Sequence, residues 1–139
     1  MLIKQSNLVL SLVSSLMIGF SYPPFNGFLS WIAFIPLIEI WHRENPNKSF
    51  LYGYIFGFFS NLITLYWIGL NSGADKTTVL VSLIAALIYL SLFPGFLGFL
   101  ISFLLKKTNK AFLLIPFAWT SMELIRSFGP LGFPWINLS

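Results

Sequence analysis

The chain has 139 residues, of which 57% are hydrophobic and only 9% are charged, whereas soluble domains carry about 25% charged residues. So few charges cannot cover the surface of a 15.8 kDa globule. This excludes an ordinary soluble enzyme, a nucleic-acid-binding protein and a disordered linker. Cysteine is absent, which excludes disulfides, thiolate metal sites and a cysteine nucleophile within the chain.

Apolar segments predict an all-α fold, a polytopic transmembrane helix bundle with about five segments. The segments lie at about 8–21, 28–42, 50–70, 78–105 and 111–127, followed by an outer loop at 128–139. A bilayer core about 30 Å thick needs roughly 20 helical residues, so the third and fourth segments are long enough to span it. Pro94 should kink the fourth segment.

The first two segments are short and surround a turn containing Pro23 and Pro24, so they predict a helical hairpin that spans thinly or is partly re-entrant. A signal peptide is the alternative for the first segment because Lys4 precedes it, but no small-residue cleavage site follows. The fifth segment crosses if the turn carrying Glu123 and Arg126 lies at the interface.

Basic residues between the segments predict the orientation. Six fall on one side of the predicted bundle: Lys4, Arg43, Lys48, Lys106, Lys107 and Lys110. Lys76 and Arg126 fall on the other side. The sequence therefore predicts a cytoplasmic N-terminus and an outer position, periplasmic in a bacterium, from residue 128 onward.

Small and polar residues in the apolar segments predict helix packing. Gly53 and Gly57 form the G-x-x-x-G pattern that lets two helices approach closely, and Gly95 and Gly98 indicate another close crossing. Asn61 places an amide in the middle of the third segment. An interhelical hydrogen bond is the favoured interpretation for this amide, and a substrate contact is the alternative.

Ionisable residues in and near the segments need partners or roles. Glu39 and Arg43 have the i,i+4 spacing of a helical ion pair, whereas His42 has no second metal ligand nearby, so we predict no metal site and no cofactor. Glu123 and Arg126 share one helix face at i,i+3. They form either a mutual salt bridge at the outer end of the fifth segment or a polar anchor for lipid headgroups or an extramembrane domain.

Large aromatic residues near the segment ends predict an interfacial belt, with Trp31 and Trp41 among its members. The outer loop cannot continue a helix, because it holds two glycines and two prolines within residues 129–134. Phe133 and Trp135 in this loop are expected to lie on the membrane surface or to wall a lipid-facing cleft.

Several short motifs, taken in order, resemble those of the apolipoprotein N-acyltransferase family over essentially the whole chain. They are Ser21-Tyr22-Pro23-Pro24-Phe25, Leu65-Tyr66-Trp67-Ile68, Tyr89-Leu90-Ser91-Leu92-Phe93, Pro116-Phe117-Ala118-Trp119, and Glu123-Leu124-Ile125-Arg126 followed by Gly132-Phe133-Pro134-Trp135. The last pair of motifs carries most of the resemblance.

The resemblance implies a bacterial inner-membrane enzyme that transfers an acyl chain from a membrane phospholipid to the N-terminal diacylglyceryl-cysteine of an apolipoprotein. It implies a cysteine nucleophile, a glutamate general base and an oxyanion-stabilising lysine in a nitrilase-like domain. None of these catalytic residues is expected in this chain. We expect the N-terminal five-span part, ending at Ser139 without the catalytic domain and inactive alone. Glu123, Arg126, Phe133 and Trp135 would shape the lipid-side floor of the active site.

The alternative is a free-standing small membrane protein, a transporter or an assembly subunit that packs with a partner through Gly53 and Gly57. It predicts a stop codon directly after Ser139, whereas the enzyme hypothesis predicts an open reading frame that continues.

Overall fold

The computed structural model describes residues 6–22, 27–128 and 132, and within these ranges the chain is helical with no strand. The prediction of an all-α fold is therefore confirmed for the part of the chain that is described. Five α-helices follow one another in the chain: α1 (Asn7–Gly19), α2 (Leu29–Arg43), α3 (Pro46–Leu65), α4 (Lys76–Leu105) and α5 (Ile115–Ser127). Short 3₁₀ helices, Tyr66–Leu70 and Asn109–Leu114, follow α3 and precede α5.

Side-chain caps set the starts of the two longest helices. The Asn45 side chain accepts a hydrogen bond of 2.9 Å from the Lys48 amide, and Pro46 occupies the first turn, where its missing N–H costs nothing. α3 therefore begins before the apolar stretch does. The Asp75 carboxylate caps α4 by accepting from two amides of the first turn, a role that the sequence analysis did not assign to it.

Two stretches of the described chain are long and apolar enough to cross a membrane: Pro46–Leu70 with 25 residues and Lys76–Leu105 with 30. At 1.5 Å per residue, α4 extends about 45 Å. α4 continues as a helix through Pro94, and α2 likewise continues through Pro36. α1 is apolar but shorter, with 13 residues.

The most extensive helix contact is between α3 and α4, which run antiparallel. A Cβ atom built on Gly53 would lie 2.5 Å from the Pro94 carbonyl oxygen, and one built on Gly57 would collide with the Pro94 ring. Further along α4, a Cβ on Gly98 would lie 2.6 Å from the Ser49 carbonyl oxygen. The two backbones therefore approach as closely as glycine allows, which maximises van der Waals contact.

Buried serines attach α1 to its neighbours. Ser11 donates to the Tyr52 carbonyl of α3 at 2.8 Å, and Ser14 donates to the Ala33 carbonyl of α2. The single Ser15 hydroxyl hydrogen is shared between the Ser11 carbonyl of its own helix, at 2.8 Å, and the Phe56 carbonyl of α3, at 3.1 Å. These small hydroxyl residues let the helices approach and satisfy their own polar groups without water. The S-x-x-S-S spacing in the first segment was the signal that could have predicted this interface.

The largest buried cluster contains Trp41, Leu37, Phe56 and Ile101, drawn from α2, α3 and α4. Trp41 has no exposed surface, so its assignment to an interfacial belt is wrong. It is buried because the end of α2 lies against Gly98, where a missing side chain makes room for the indole. Trp31, at the other end of α2, is 82% exposed.

Candidate functional site

The buried face of α5 carries the two ionisable residues that the sequence analysis selected. Glu123 is 1% exposed and Arg126 is 5% exposed. Arg126 lies in the last turn of its helix, where a positive charge stabilises the negative end of the helix dipole. Phe133 and Trp135, the other two selected residues, lie outside the residues that the structure describes.

A small cavity of about 20 Å³, with room for about one water molecule, lies where the C-terminal ends of α1, α3 and α5 meet against α4. Its polar wall consists of Tyr22, Ser60, Asn61, Thr64 and Arg126, and its apolar wall of Ile18, Phe56, Gly57, Pro94, Trp119 and Met122. The tertiary structure thus brings Asn61 and Arg126, which are far apart in the sequence, to one site.

The Ser60 and Thr64 hydroxyls of the polar wall bond to the backbone of their own helix. Thr64 donates to the Ser60 carbonyl at 3.0 Å and Ser60 donates to the Gly57 carbonyl at 3.2 Å, as hydroxyls in helices commonly do. Asn61 is 5% exposed and lines the cavity. Its interhelical hydrogen bond stays a prediction.

Trp119 separates the cavity from a second space. Its ring packs edge-on against Phe34, with centroids 4.5 Å apart, and against Phe56 at 6.3 Å. Its indole N–H is buried and has no hydrogen-bond acceptor within the described ranges. A buried N–H of this kind costs free energy unless an acceptor reaches it. Trp119 ends the Pro116-Phe117-Ala118-Trp119 motif, but no pattern in the sequence predicted a role for it.

The second space is an open groove of about 480 Å³ between α2 and α5. Its walls are largely apolar. They consist of Ser30, Trp31, Phe34, Ile38, Ile115, Pro116, Trp119, Thr120 and Glu123. Trp119 thus lines both the groove and the cavity, and Glu123 places one carboxyl group on the groove wall.

Tyr22 lies just beyond the end of α1, at the rim of the cavity. Burial raises the pKa of Tyr22 to about 12, with the charge of Arg126 opposing this shift and that of Glu123 adding to it. The phenol therefore stays protonated at neutral pH and is able to donate a hydrogen bond. The charges of Glu123 and Arg126 thus both reach the Tyr22 phenol.

Other ionisable side chains lie away from this group. Arg43 and Glu39 form the predicted ion pair, with 2.5 Å between Nε and Oε1, and both side chains are nearly half exposed. This prediction is confirmed. Within the part of the chain that is described, no three His, Asp or Glu side chains are close enough together to hold a metal ion.

Comparison with known proteins gives a consistent result. Residues 14–139 match the family described as the apolipoprotein N-acyltransferase N-terminal domain. The apolipoprotein N-acyltransferase of Geobacter metallireducens is 29% identical over 141 residues, covering 98% of this chain and 27% of the relative. Those of Methylococcus capsulatus and Coxiella burnetii are 29% and 28% identical, covering 94% and 95% of this chain and 27% and 29% of the relatives.

The chain therefore spans less than a third of the length of these curated relatives. No solved structure matches it significantly. The family match covers most of the chain and includes all the motifs on which the resemblance rests. The chain belongs to the apolipoprotein N-acyltransferase N-terminal domain family.

Proposed function

We propose that this chain is the N-terminal membrane portion of an enzyme that transfers an acyl chain from a phospholipid to the N-terminal diacylglyceryl-cysteine of an apolipoprotein. The family match over residues 14–139 carries this proposal. The matched relatives are named apolipoprotein N-acyltransferases. In this proposal the catalytic cysteine, glutamate and lysine belong to another domain, and residues 1–139 alone have no transferase activity.

The contribution of this portion is to hold the enzyme in the bacterial inner membrane and to form the lipid-side floor of its active site. Glu123, Arg126, Phe133 and Trp135 are the proposed floor residues. Support comes from the burial of Glu123 and Arg126 beside an apolar groove that is large enough for part of a lipid. An ionisable residue so deep in an apolar helix bundle is costly to keep without a role.

A chimaera tests this function. Residues 1–139 replace the matching N-terminal region of the Geobacter relative, and the product is expressed in cells depleted of their own apolipoprotein acyltransferase. We expect the chimaera to restore N-acylation, the same protein without residues 1–139 to fail, and the isolated chain to acylate no diacylglyceryl peptide. Acyl transfer by the isolated chain, or an inactive chimaera that inserts normally, would contradict the proposal.

The same chimaera distinguishes the two interpretations of Glu123 and Arg126. If their role is a mutual ion pair, the double variant Glu123→Arg with Arg126→Glu should largely restore the activity that either single change removes. If each contacts a separate partner, such as a lipid headgroup or the extramembrane domain, the exchanged variant stays inactive. Leu124→Ala, a change at an exposed position of the same helix that lines neither the cavity nor the groove, is the control.

Five crossings, with a cytoplasmic N-terminus and residue 128 onward in the periplasm, form part of the proposal. The antiparallel contact of α3 and α4 supports alternate crossings, and the six-to-two distribution of basic residues supports the orientation. The chain has no cysteine, so single cysteines report cleanly on sidedness. We expect Gly73→Cys to react with a membrane-impermeant maleimide in spheroplasts, and Asn109→Cys to react only after lysis. The reverse pattern would overturn the orientation.

A free-standing membrane protein is less well supported. The glycine pair that this alternative used for binding a partner lies against α4 of the same chain. Sequencing the gene beyond codon 139 separates the two proposals, because only the alternative requires a stop codon there.

A further inference from the structure

The helices on two sides of the bundle have very different lengths. α1 has 13 residues and α2 has 15, so they rise about 20 Å and 22 Å at 1.5 Å per residue. α4 has 30 residues and rises about 45 Å. Since the hydrocarbon core of a bilayer is about 30 Å thick, α1 and α2 are about 8–10 Å too short to cross it, whereas α4 is longer than the core.

One end of the bundle is held at a common level by Glu44, which directly follows α2. The Asn7 side chain at the start of α1 donates to the Glu44 carboxylate at 2.5 Å, and Ser102 near the end of α4 donates to the Glu44 carbonyl at 2.8 Å. Arg43 and Lys48 have exposed side chains at this level, so it marks one boundary of the membrane. We call it the basic end of the bundle.

At the opposite end, α1 and α2 stop at the same level. Ser14 of α1 donates to the Ala33 carbonyl of α2, and because the two helices are antiparallel, this register places Phe28 opposite Gly19. A Cβ atom built on Gly19 would lie 2.6 Å from the Ile63 side chain of α3. The end of α1 and the start of α2 therefore lie level with Ile63.

α3 and α4 extend beyond this level. Leu65, two residues after Ile63, packs in one cluster with Leu83 and Leu87 of α4, so Ile63 lies close to the level of Leu87. α4 begins about ten residues farther out, a distance of roughly 15 Å. Residues 78–105 carry no charge, which favours hydrocarbon around the whole length of α4. The tip of α3 and α4 thus stands well beyond the ends of α1 and α2.

Exposed backbone outside the helices lies at the lower of these two levels. Gly27 and Phe28 precede α2, and both are exposed. Non-helical backbone does not face hydrocarbon, because lipid tails offer its polar groups no hydrogen bonds. Trp31, which is 82% exposed near the start of α2, is a residue type that favours the membrane–water interface. The second membrane boundary on this side therefore lies near Trp31, about 18 Å from Arg43.

Tilting the bundle does not remove this shortfall, because a tilt that shortens the span of α4 shortens those of α1 and α2 as well. A span shorter than the hydrocarbon core is accommodated when the bilayer becomes thinner beside it. We infer that the α1–α2 side of the bundle thins the half of the bilayer opposite the basic end by about 10 Å. Water and lipid headgroups then reach the start of α2 and the adjoining end of the groove at Ser30. The inference rests on the membrane placement in the proposed function, to which it adds a local deformation of the bilayer.

Depth measurements on the full 139-residue chain test the thinning. The chain has no cysteine, so Phe28→Cys and Ile84→Cys each carry a single nitroxide label in nanodiscs of dioleoyl phosphatidylcholine. Both positions are exposed, and Ile84 lies slightly farther from the basic end than Phe28 does. Collision rates with oxygen, which concentrates in hydrocarbon, and with a water-soluble nickel chelate give the depth of each label. We expect the Phe28 label to lie about 5–10 Å nearer to the aqueous phase than the Ile84 label.

A bilayer of uniform thickness gives the opposite order, because Phe28 is then the deeper position. That order, or equal depths, would overturn the inference and mean that α1 and α2 form a re-entrant hairpin. Ile35→Cys, at an exposed position of α2 about 12 Å from Arg43, is the control. Its label should collide with oxygen rather than nickel, and nickel contact at Ile35 would also overturn the thinning, because α2 would then line water.

The outcome is separable from that of the proposed function. The order of depths involves neither acyl transfer nor the sidedness of the chain, so it is independent of the chimaera and of the maleimide reactions. If the membrane placement itself is wrong, nickel reaches the labels at Phe28, Ile84 and Ile35 alike. Substitutions at these exposed positions remove no buried side chain, and a monodisperse size-exclusion profile confirms that each labelled variant is folded.

Discussion

Gly53→Ala is the sharpest test of the α3–α4 interface. The added Cβ would lie 2.5 Å from the Pro94 carbonyl oxygen and 3.2 Å from the Pro94 carbonyl carbon. Both atoms belong to the backbone, so no side-chain rotation relieves the collision. The helices would have to separate by roughly 1 Å to restore a normal contact of about 3.5 Å.

The expected magnitude combines two opposing effects. Overpacking a tight interface costs about 1–3 kcal/mol, and the upper end applies because the obstructing atoms are backbone. Replacing glycine by alanine in a helix returns about 1 kcal/mol. We therefore expect a net loss of about 2 kcal/mol in the free energy of unfolding.

Gly95→Ala provides a matched control in the same interface. Its Cβ would meet the Phe50 ring at 3.2 Å and the Phe50 carbonyl oxygen at 3.3 Å, so adjustments of a few tenths of an ångström are enough. The gain in helix propensity offsets this strain, and the variant should stay within about 0.5 kcal/mol of the unmodified chain.

The assay is thermal unfolding of the purified chain in detergent, followed by the monodisperse fraction in size-exclusion chromatography. At roughly 4 °C per kcal/mol, Gly53→Ala should lower Tm by about 8 °C and Gly95→Ala by no more than about 2 °C. If Gly53→Ala is as stable as Gly95→Ala, the close backbone approach at Gly53 is wrong and the reasoning about this interface fails with it.

Three smaller effects follow from other contacts. Asp75→Ala removes the cap of α4 and should cost about 1 kcal/mol in thermal unfolding, whereas Asp75→Asn keeps an acceptor and should cost far less; equal losses would refute the cap. Ser102 donates to the Glu44 carbonyl across the bundle at 2.8 Å, so Ser102→Ala should cost about 0.6 kcal/mol. Ser91→Ala should cost less than Ser102→Ala, because the Ser91 hydroxyl bonds within its own helix. The Tyr22 pKa is about 12 in the folded chain against 10.0 as the reference value; the folded state therefore holds the proton more tightly, and stability should be constant below pH 10.0 and fall between pH 10.0 and about 12. Loss of the high-pH component of the tyrosinate absorbance titration in Tyr22→Phe checks the assignment, and a component unchanged by this substitution would contradict it.

The sequence alone determined properties that depend on composition and short-range spacing. The 9% of charged residues argued against a soluble domain, and long apolar runs predicted helices because a chain in an apolar environment must satisfy its backbone internally. The ion pair of Glu39 and Arg43 followed from i,i+4 spacing, since a helix places such residues side by side whatever surrounds it. The ordered motifs identified the family.

Tertiary packing decided what each side chain contacts. Trp41 is buried rather than interfacial because Gly98, on another helix, leaves room for its ring. Asn61 lines a cavity whose position depends on where α1 and α5 end relative to α3. Trp119 lines both the cavity and the groove because α5 packs beside α2 and α3 in the folded bundle. Periodicity specifies which face of a helix is apolar, but the neighbour of that face is set by distant residues, so only the folded bundle could place these groups together.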